Sequence, residues 1–248
     1  MNIEERIASI ITSAPSDIGI LITDKNGNIT LSHNEKKRFR SASVIKTFVL
    51  SFYIDEYRFP DEIIKFDSSS YVDFSVVKEL CITEMTIKEL LTVMIASSDN
   101  TATNALINKA GPDLINAYIQ NKLRLTDTAV RRYMMDFSAI VKGYDNYTSA
   151  FDTVTLLKRL AENPVAMKIL AMQKERNGLM RYIYGGVDFF GKSGQLDDVY
   201  NDSGIIQSEK NTVFAAVLTN NIPHTTAATL CGLCGLLATG NTSITLPG

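Results

Sequence analysis

The stretch from Arg38 to Tyr57 reads RFRSASVIKTFVLSFYIDEY. A polar segment becomes an apolar helical run here, and at the junction Ser43 stands three residues before Lys46. Residues three apart on a helix share a face, so the hydroxyl and the ammonium are expected to be neighbours. A serine in a first turn lies at the positive end of the helix dipole, which favours an alkoxide forming there. A lysine can accept that proton once burial or a second cation lowers its pKa. The same letters also suit a capping serine and a solvated lysine. S-x-x-K alone decides nothing, so the rest of the chain must supply partners.

Upstream, Ile3, Ile7, Ile10 and Ile11 fall on one helical face. Residues 17–23 and 28–32 are β-rich runs around the turn signal DKNGN. The Ser43 run predicts a helix to about Arg58, ended by Pro60, and the pattern is mostly helical from there to about residue 183. Beyond YGG the period changes. VDFFGKSG, DVYNDSGIIQS and NTVFAAVLTN read as three strands joined by short turns, and HTTAATLCGLCGLLA closes as a helix. Strands joined by short turns are antiparallel. The expected fold class is therefore α+β, an α/β sandwich. A five-stranded antiparallel sheet from 1–42 plus 184–248 is flanked by the N- and C-terminal helices, with an all-helical domain, 43–183, inserted between strands two and three.

The chain has 248 residues and a formal net charge of −2, so nothing suggests a nucleic-acid surface. No apolar run approaches the roughly 20 residues a membrane span needs. The acidic N-terminus is no secretory signal, so the sequence as written predicts a cytoplasmic protein, or a secreted one if a leader was removed. Cys81, Cys231 and Cys234 make no disulfide framework, and CGLC lies in a packed apolar run, so buried structural cysteines are expected there. His33 and His224 are the only histidines, G-x-S-x-G is absent, and surface roles are expected for both rings. No metal and no cofactor is called for, and a monomer is expected.

Two further patterns carry chemistry. ASSDNTATN, residues 96–104, lies between two helical runs. Ser98, Asp99 and Asn100 form either an N-cap cluster or a group in which Ser98 relays a proton and Asn100 holds Lys46 or a substrate amide. FFGKSGQLDD, residues 189–198, puts Lys192, Ser193 and Gly194 on an expected strand. Lys192 offers a fixed cation for a carboxylate and a second charge to lower the pKa of Lys46. Gly194 would let a ligand lie close to the strand backbone.

S-x-x-K, then S-D-N, then K-[ST]-G is the motif set of class A β-lactamases and penicillin-binding proteins. The chain resembles that family over nearly its whole length, and class A more closely than the larger transpeptidases. The resemblance implies a β-lactamase/transpeptidase-like fold and a small-molecule substrate, a β-lactam or related amide. It makes Ser43 the acylated nucleophile, Lys46 the proton acceptor and Ser98 the donor to the leaving nitrogen. Asn100 binds the substrate side-chain amide, Lys192 and Ser193 hold its carboxylate, and the N–H groups of Ser43 and Gln195 form the oxyanion hole.

The family also carries a loop glutamate that activates water against the acyl-enzyme. If Arg132 matches the loop arginine, Met134 stands in the place of that glutamate, and Asp145 is positioned to pair with Arg132 and clasp the loop. Asp136 is the nearest carboxylate that could substitute as base. The segment DEIIKFDSSSYVDFSVVKEL, which starts at Asp61, fits no family pattern. Three readings stay open. The first is a β-lactamase-like serine hydrolase with slow deacylation. The second is a covalent penicillin-binding receptor without turnover. The third is a peptidase or esterase acting on another small amide or ester.

Overall fold

The computed structural model describes residues 2–209 and 211–240. Met1, Lys210 and the end of the expected sheet domain, 241–248, lie outside them.

The chain opens with α1 (Ile3–Ser13), started by a capping box between Asn2 and Glu5. A hairpin follows, β1 (Ile18–Asp24) and β2 (Ile29–His33), whose turn is closed by Asp24 accepting from the N–H groups of Asn26 and Asn28. Next come β3 (Phe39–Arg40), a 3-10 turn over Ala42–Ile45 and α2 (Lys46–Glu56). The helical region continues with β4 (Ile63–Lys65), α3 (Val76–Glu79), β5 (Glu84–Thr86), α4 (Ile87–Ala96), α5 (Asn100–Ala110) and α6 (Pro112–Ala117). It ends with α7 (Phe137–Val141), β6 (Tyr147–Thr148), α8 (Ala150–Leu160) and α9 (Pro164–Leu170). Then β7 (Asp188–Leu196), β8 (Val199–Gln207), β9 (Thr212–Thr219) and α10 (His224–Ala238) complete the described chain.

The five long strands form one antiparallel sheet in the order β2-β1-β9-β8-β7, built from both ends of the chain as expected. Ile18, Ile20 and Ile22 of β1 pack under α1 and α10, while Leu21 faces α8 together with Phe214, Ala216 and Leu218. Both faces are covered, so β1 reads as an almost unbroken apolar run.

Every residue of α2 from Lys46 to Tyr53 is buried, which suits a helix that is apolar around its circumference. It is the axis of a separate core with Leu90, Met94 and Leu106. This arrangement stands the N-terminal end of α2 against β7, the edge strand of the sheet.

The structure corrects three local expectations. Ser43 lies in a 3-10 turn, not an α-helix, and the α-helix ends at Glu56, with extended backbone at Tyr57 ahead of Arg58. The region to residue 183 is less helical than the sequence suggests: β4 pairs with β5 and β3 with β6, and no helix spans 171–187. Two- and three-residue strands are too short to show a period of two.

Candidate active site

The 3-10 turn is the local feature that presents the nucleophile candidate. Lys46 follows the turn directly, its backbone N–H donating to the Ser43 carbonyl, so the two residues lie on the same side of one helical turn. From Ser41 to Tyr53, Ser43 is the one residue that is not buried. Ala42 enters the turn at φ 44°, a left-handed conformation uncommon outside glycine. The turn also abuts β7: a Cβ on Gly194 would come within 2.6 Å of the Ser43 nitrogen and 2.9 Å of the Ser41 oxygen.

Lys46 is fully buried and directs its amine at three oxygens: the Ser98 carbonyl at 2.6 Å, Ser98 Oγ at 3.1 Å and Asn100 Oδ1 at 2.8 Å. Burial pushes its pKa well below the ordinary lysine value, the charge of Lys192 pushes the same way, and Asp99 opposes both. Ser98 is held at φ 57° at the end of α4, and Asp99 caps α5 by accepting from the Ala102 N–H. Asp99 also accepts from Ser75 Oγ and the Val77 N–H, so the S-D-N turn is both a cap and part of the site. Asn100 Nδ2 donates to the Asp73 carbonyl at 3.0 Å.

Lys192 is buried on β7 and donates to the Ser193 carbonyl at 2.8 Å. Burial lowers its pKa to about 8, against the pull of Asp202 and Glu175. On this strand the Ser193 N–H points away from β8, because it donates to Gln173 Oε1 at 2.6 Å. Alternation along an edge strand then turns the N–H and C=O of Gln195 the same way, away from β8.

One cleft of about 780 Å³ is lined by Ser43, Ser98, Asn100, Lys192, Ser193 and Gln195, together with Met134 and Phe74. Four of its lining residues, Ala42, Phe74, Ser98 and Met135, are non-glycines at positive φ. Such strain costs about 1–3 kcal/mol per residue and collects at functional sites.

The wall opposite β7 comes from the loop that ends at β6. Arg132 Nε donates to Asp145 at 2.6 Å, both side chains being buried, and Arg40 Nε donates to the other oxygen of Asp145 at 2.7 Å. Arg40 also holds both oxygens of Asp198 at 2.7 Å, which ties the loop to the β7–β8 turn. Asn104 fixes Met134 from both sides, accepting its N–H at 2.7 Å and donating to its carbonyl at 3.1 Å. Met135, Phe137 and Ile140 extend this wall as apolar surface.

A family model described as "Beta-lactamase enzyme family" matches residues 2–239. The chain belongs to the β-lactamase enzyme family. It is similar to β-lactamase AST-1 of Nocardia asteroides, 27% identical over 154 residues, covering 59% of this chain and 49% of that protein. It is also similar to β-lactamase 1 of Bacillus cereus, 32% identical over 97 residues, covering 38% of this chain and 32% of that protein. The matches thus span about half or less of these curated relatives. The crystal structure of a β-lactamase from Sphaerobacter thermophilus superimposes with a TM-score of 0.83 at 25% identity, covering 99% of this chain and 98% of that one. A class A β-lactamase from Mycobacterium abscessus shares the fold, with a TM-score of 0.81 at 21% identity and coverage of 96% and 99%.

Within this β-lactamase fold, most of the residues singled out from the sequence meet in the cleft, and some stand differently. Asp136 does not line it: its carboxylate caps α7, accepting from Ser138 Oγ at 2.7 Å and the Ala139 N–H at 3.0 Å. Those bonds, the Ser138 one foremost, lower its pKa, which makes it a weaker base. Gly194 admits the Ser43 turn, not a ligand. Both histidines are half-buried at the surface and hydrogen-bonded: His33 contacts the Pro15 carbonyl at 2.8 Å, and His224, on the cleft rim, contacts that of Leu196 at 2.9 Å. Cys231 and Cys234 are buried free thiols, with burial pushing the Cys234 pKa up to about 12. Sequence reasoning missed Arg40, Asn104 and Phe74. Asn104 left a signal, since it stands four residues after Asn100 and so on the same face of α5.

Proposed function

We propose that this chain is a serine hydrolase of β-lactamase type that forms an acyl-enzyme at Ser43 with β-lactams or related amides and releases the acyl group slowly. The observation that carries the reading is the convergence of S-x-x-K, S-D-N and K-S-G on one cleft. In acylation, neutral Lys46 takes the proton of Ser43 Oγ while that oxygen bonds to the substrate carbonyl carbon. A neutral amine has two protons, so one of its three contacts yields when it acts as a base. The N–H groups of Ser43 and Gln195 take the charge that develops on the carbonyl oxygen. As the C–N bond breaks, the nitrogen takes a proton from Ser98 Oγ, which Lys46 replaces. Lys192 and Ser193 hold the carboxylate of the substrate.

Release of the acyl group needs a base for water. A thioether cannot serve, and Met134 stands where the family resemblance expects a glutamate. General-base catalysis is worth roughly 10² to 10⁴ in rate. The same methionine favours a second reading, a covalent receptor that is acylated and stays so. One experiment decides. The protein is mixed with a chromogenic β-lactam, and both product and intact mass are followed. A burst of about one equivalent followed by slow turnover is the expected outcome. A burst and an adduct that never decays makes the protein a receptor. Neither adduct nor product rejects both readings.

A further inference from the structure

β7 is the outer strand of the sheet, so every second residue turns an N–H and a C=O away from β8. An extended peptide could pair with such a row and become a sixth strand. Here the row is already plugged. The Ser193 N–H is taken by Gln173 Oε1 at 2.6 Å, and the Ser193 C=O accepts from Lys192 at 2.8 Å. Gly194 faces β8. Of the outward groups beside Ser43, those of Gln195 are left, and beyond Gln195 the strand ends at Leu196.

Gln173 is buried just beyond α9, and its orientation is set by its partner. A backbone N–H can only donate, so the atom facing Ser193 is the carbonyl oxygen of the side chain. Its amide nitrogen is then left buried without a hydrogen-bond partner among the described residues. Burying an unpaired donor costs stability. The fold bears that cost at a residue whose other end closes the strand edge.

We infer that Gln173 is a specificity-determining residue: by occupying the Ser193 N–H it limits a ligand's main-chain pairing to Gln195, so the cleft takes compact acyl amides and excludes extended peptide chains. This rests on the acyl-enzyme reading for the identity of the compact ligand. The exclusion of peptides rests on the strand edge alone, so the two can fail separately.

Two measurements test it. The first uses a fluorescein-labelled alanine tetrapeptide with a free C-terminal carboxylate, titrated with protein and followed by anisotropy. The wild type is expected to show no saturable binding at 1 mM protein on the order of the weakest useful affinity. Gln173→Ala is expected to raise the ratio of peptide affinity to penicillin acylation efficiency about tenfold, and Gln173→Glu, which keeps an acceptor for the Ser193 N–H, is expected to leave that ratio near the wild-type value. Peptide binding to the wild type that penicillin displaces overturns the inference, as does an unchanged ratio in Gln173→Ala. The second needs no variant. Amide exchange followed by NMR is expected to show Ser193 protected in the free protein and Gln195 exchanging freely until penicillin is added. A Ser193 amide that exchanges freely overturns the plug. If penicillin leaves no mass adduct on the wild type, the acyl-enzyme reading fails, while the peptide titration still decides the exclusion.

Discussion

The two walls of the cleft are built on opposite principles. On the β7 side, polar groups are buried and joined: Lys46 has three oxygen partners, and Ser193 is held at both its N–H and its C=O. On the loop side, charge is used to fasten the backbone, through Arg132, Asp145 and Arg40, while Met134, Met135, Phe137 and Ile140 face the cleft. The contrast matches the two halves of a covalent hydrolysis. The wall that would make the acyl bond is furnished with proton-transfer groups, and the wall that would break it is rigid but chemically silent.

Substitutions on either wall put that contrast to the test. Ser43→Ala tests the first wall most severely: mass adducts with a β-lactam should vanish, with acylation falling by about 10⁴-fold or more. Adduct formation that survives would place the nucleophile elsewhere. Next, Met134→Glu should turn the silent wall into a working one, since Asn104 already fixes the backbone of that residue. Adduct lifetime measured by mass should shorten by about 10² to 10⁴, and an unchanged lifetime would mean that more than the base is missing. Asp145→Asn leaves buried Arg132 without its anion and should cost about 3 to 5 kcal/mol in urea unfolding.

The pH dependence discriminates less sharply. Lys192 carries its charge below its pKa of about 8, so acylation by a carboxylate-bearing β-lactam should fall as pH rises through that value, tenfold per unit. Asp202→Asn removes a charge that holds this pKa up, and the alkaline limb should move to lower pH. Smallest of all, Asp136→Ala should cost about 1 kcal/mol as a lost helix cap and leave adduct lifetime within about twofold. A clearly longer lifetime would make Asp136 the hydrolytic base after all.

The first wall was legible in the sequence and the second only in part. Ser43 and Lys46 are three residues apart, and Ser98 and Asn100 two apart, so local geometry alone brings each pair together. The sheet was legible because its strands are long β-rich runs bounded by turn signals. Arg40 was not, because its partners Asp145 and Asp198 lie 105 and 158 residues away, and one arginine in a polar run carries no local signal. Phe74 sits at φ 56°, a conformation that no pattern of side chains announces. Asp136 misled for a related reason: chemical type and proximity in the chain suggested a base, while its place as N-cap of α7, two residues before Ser138, claimed the carboxylate.

The missing methyl at Gly194 has a mechanical consequence. With strand and turn in direct backbone contact, the two N–H groups proposed to bind the oxyanion are held at a fixed spacing, and Asn146 and Asp145 brace the turn from the loop side. Any loop grafted between α6 and α8 must still keep Asp145 and Asn146, which hold Arg40 and the Ser41 N–H just ahead of that turn.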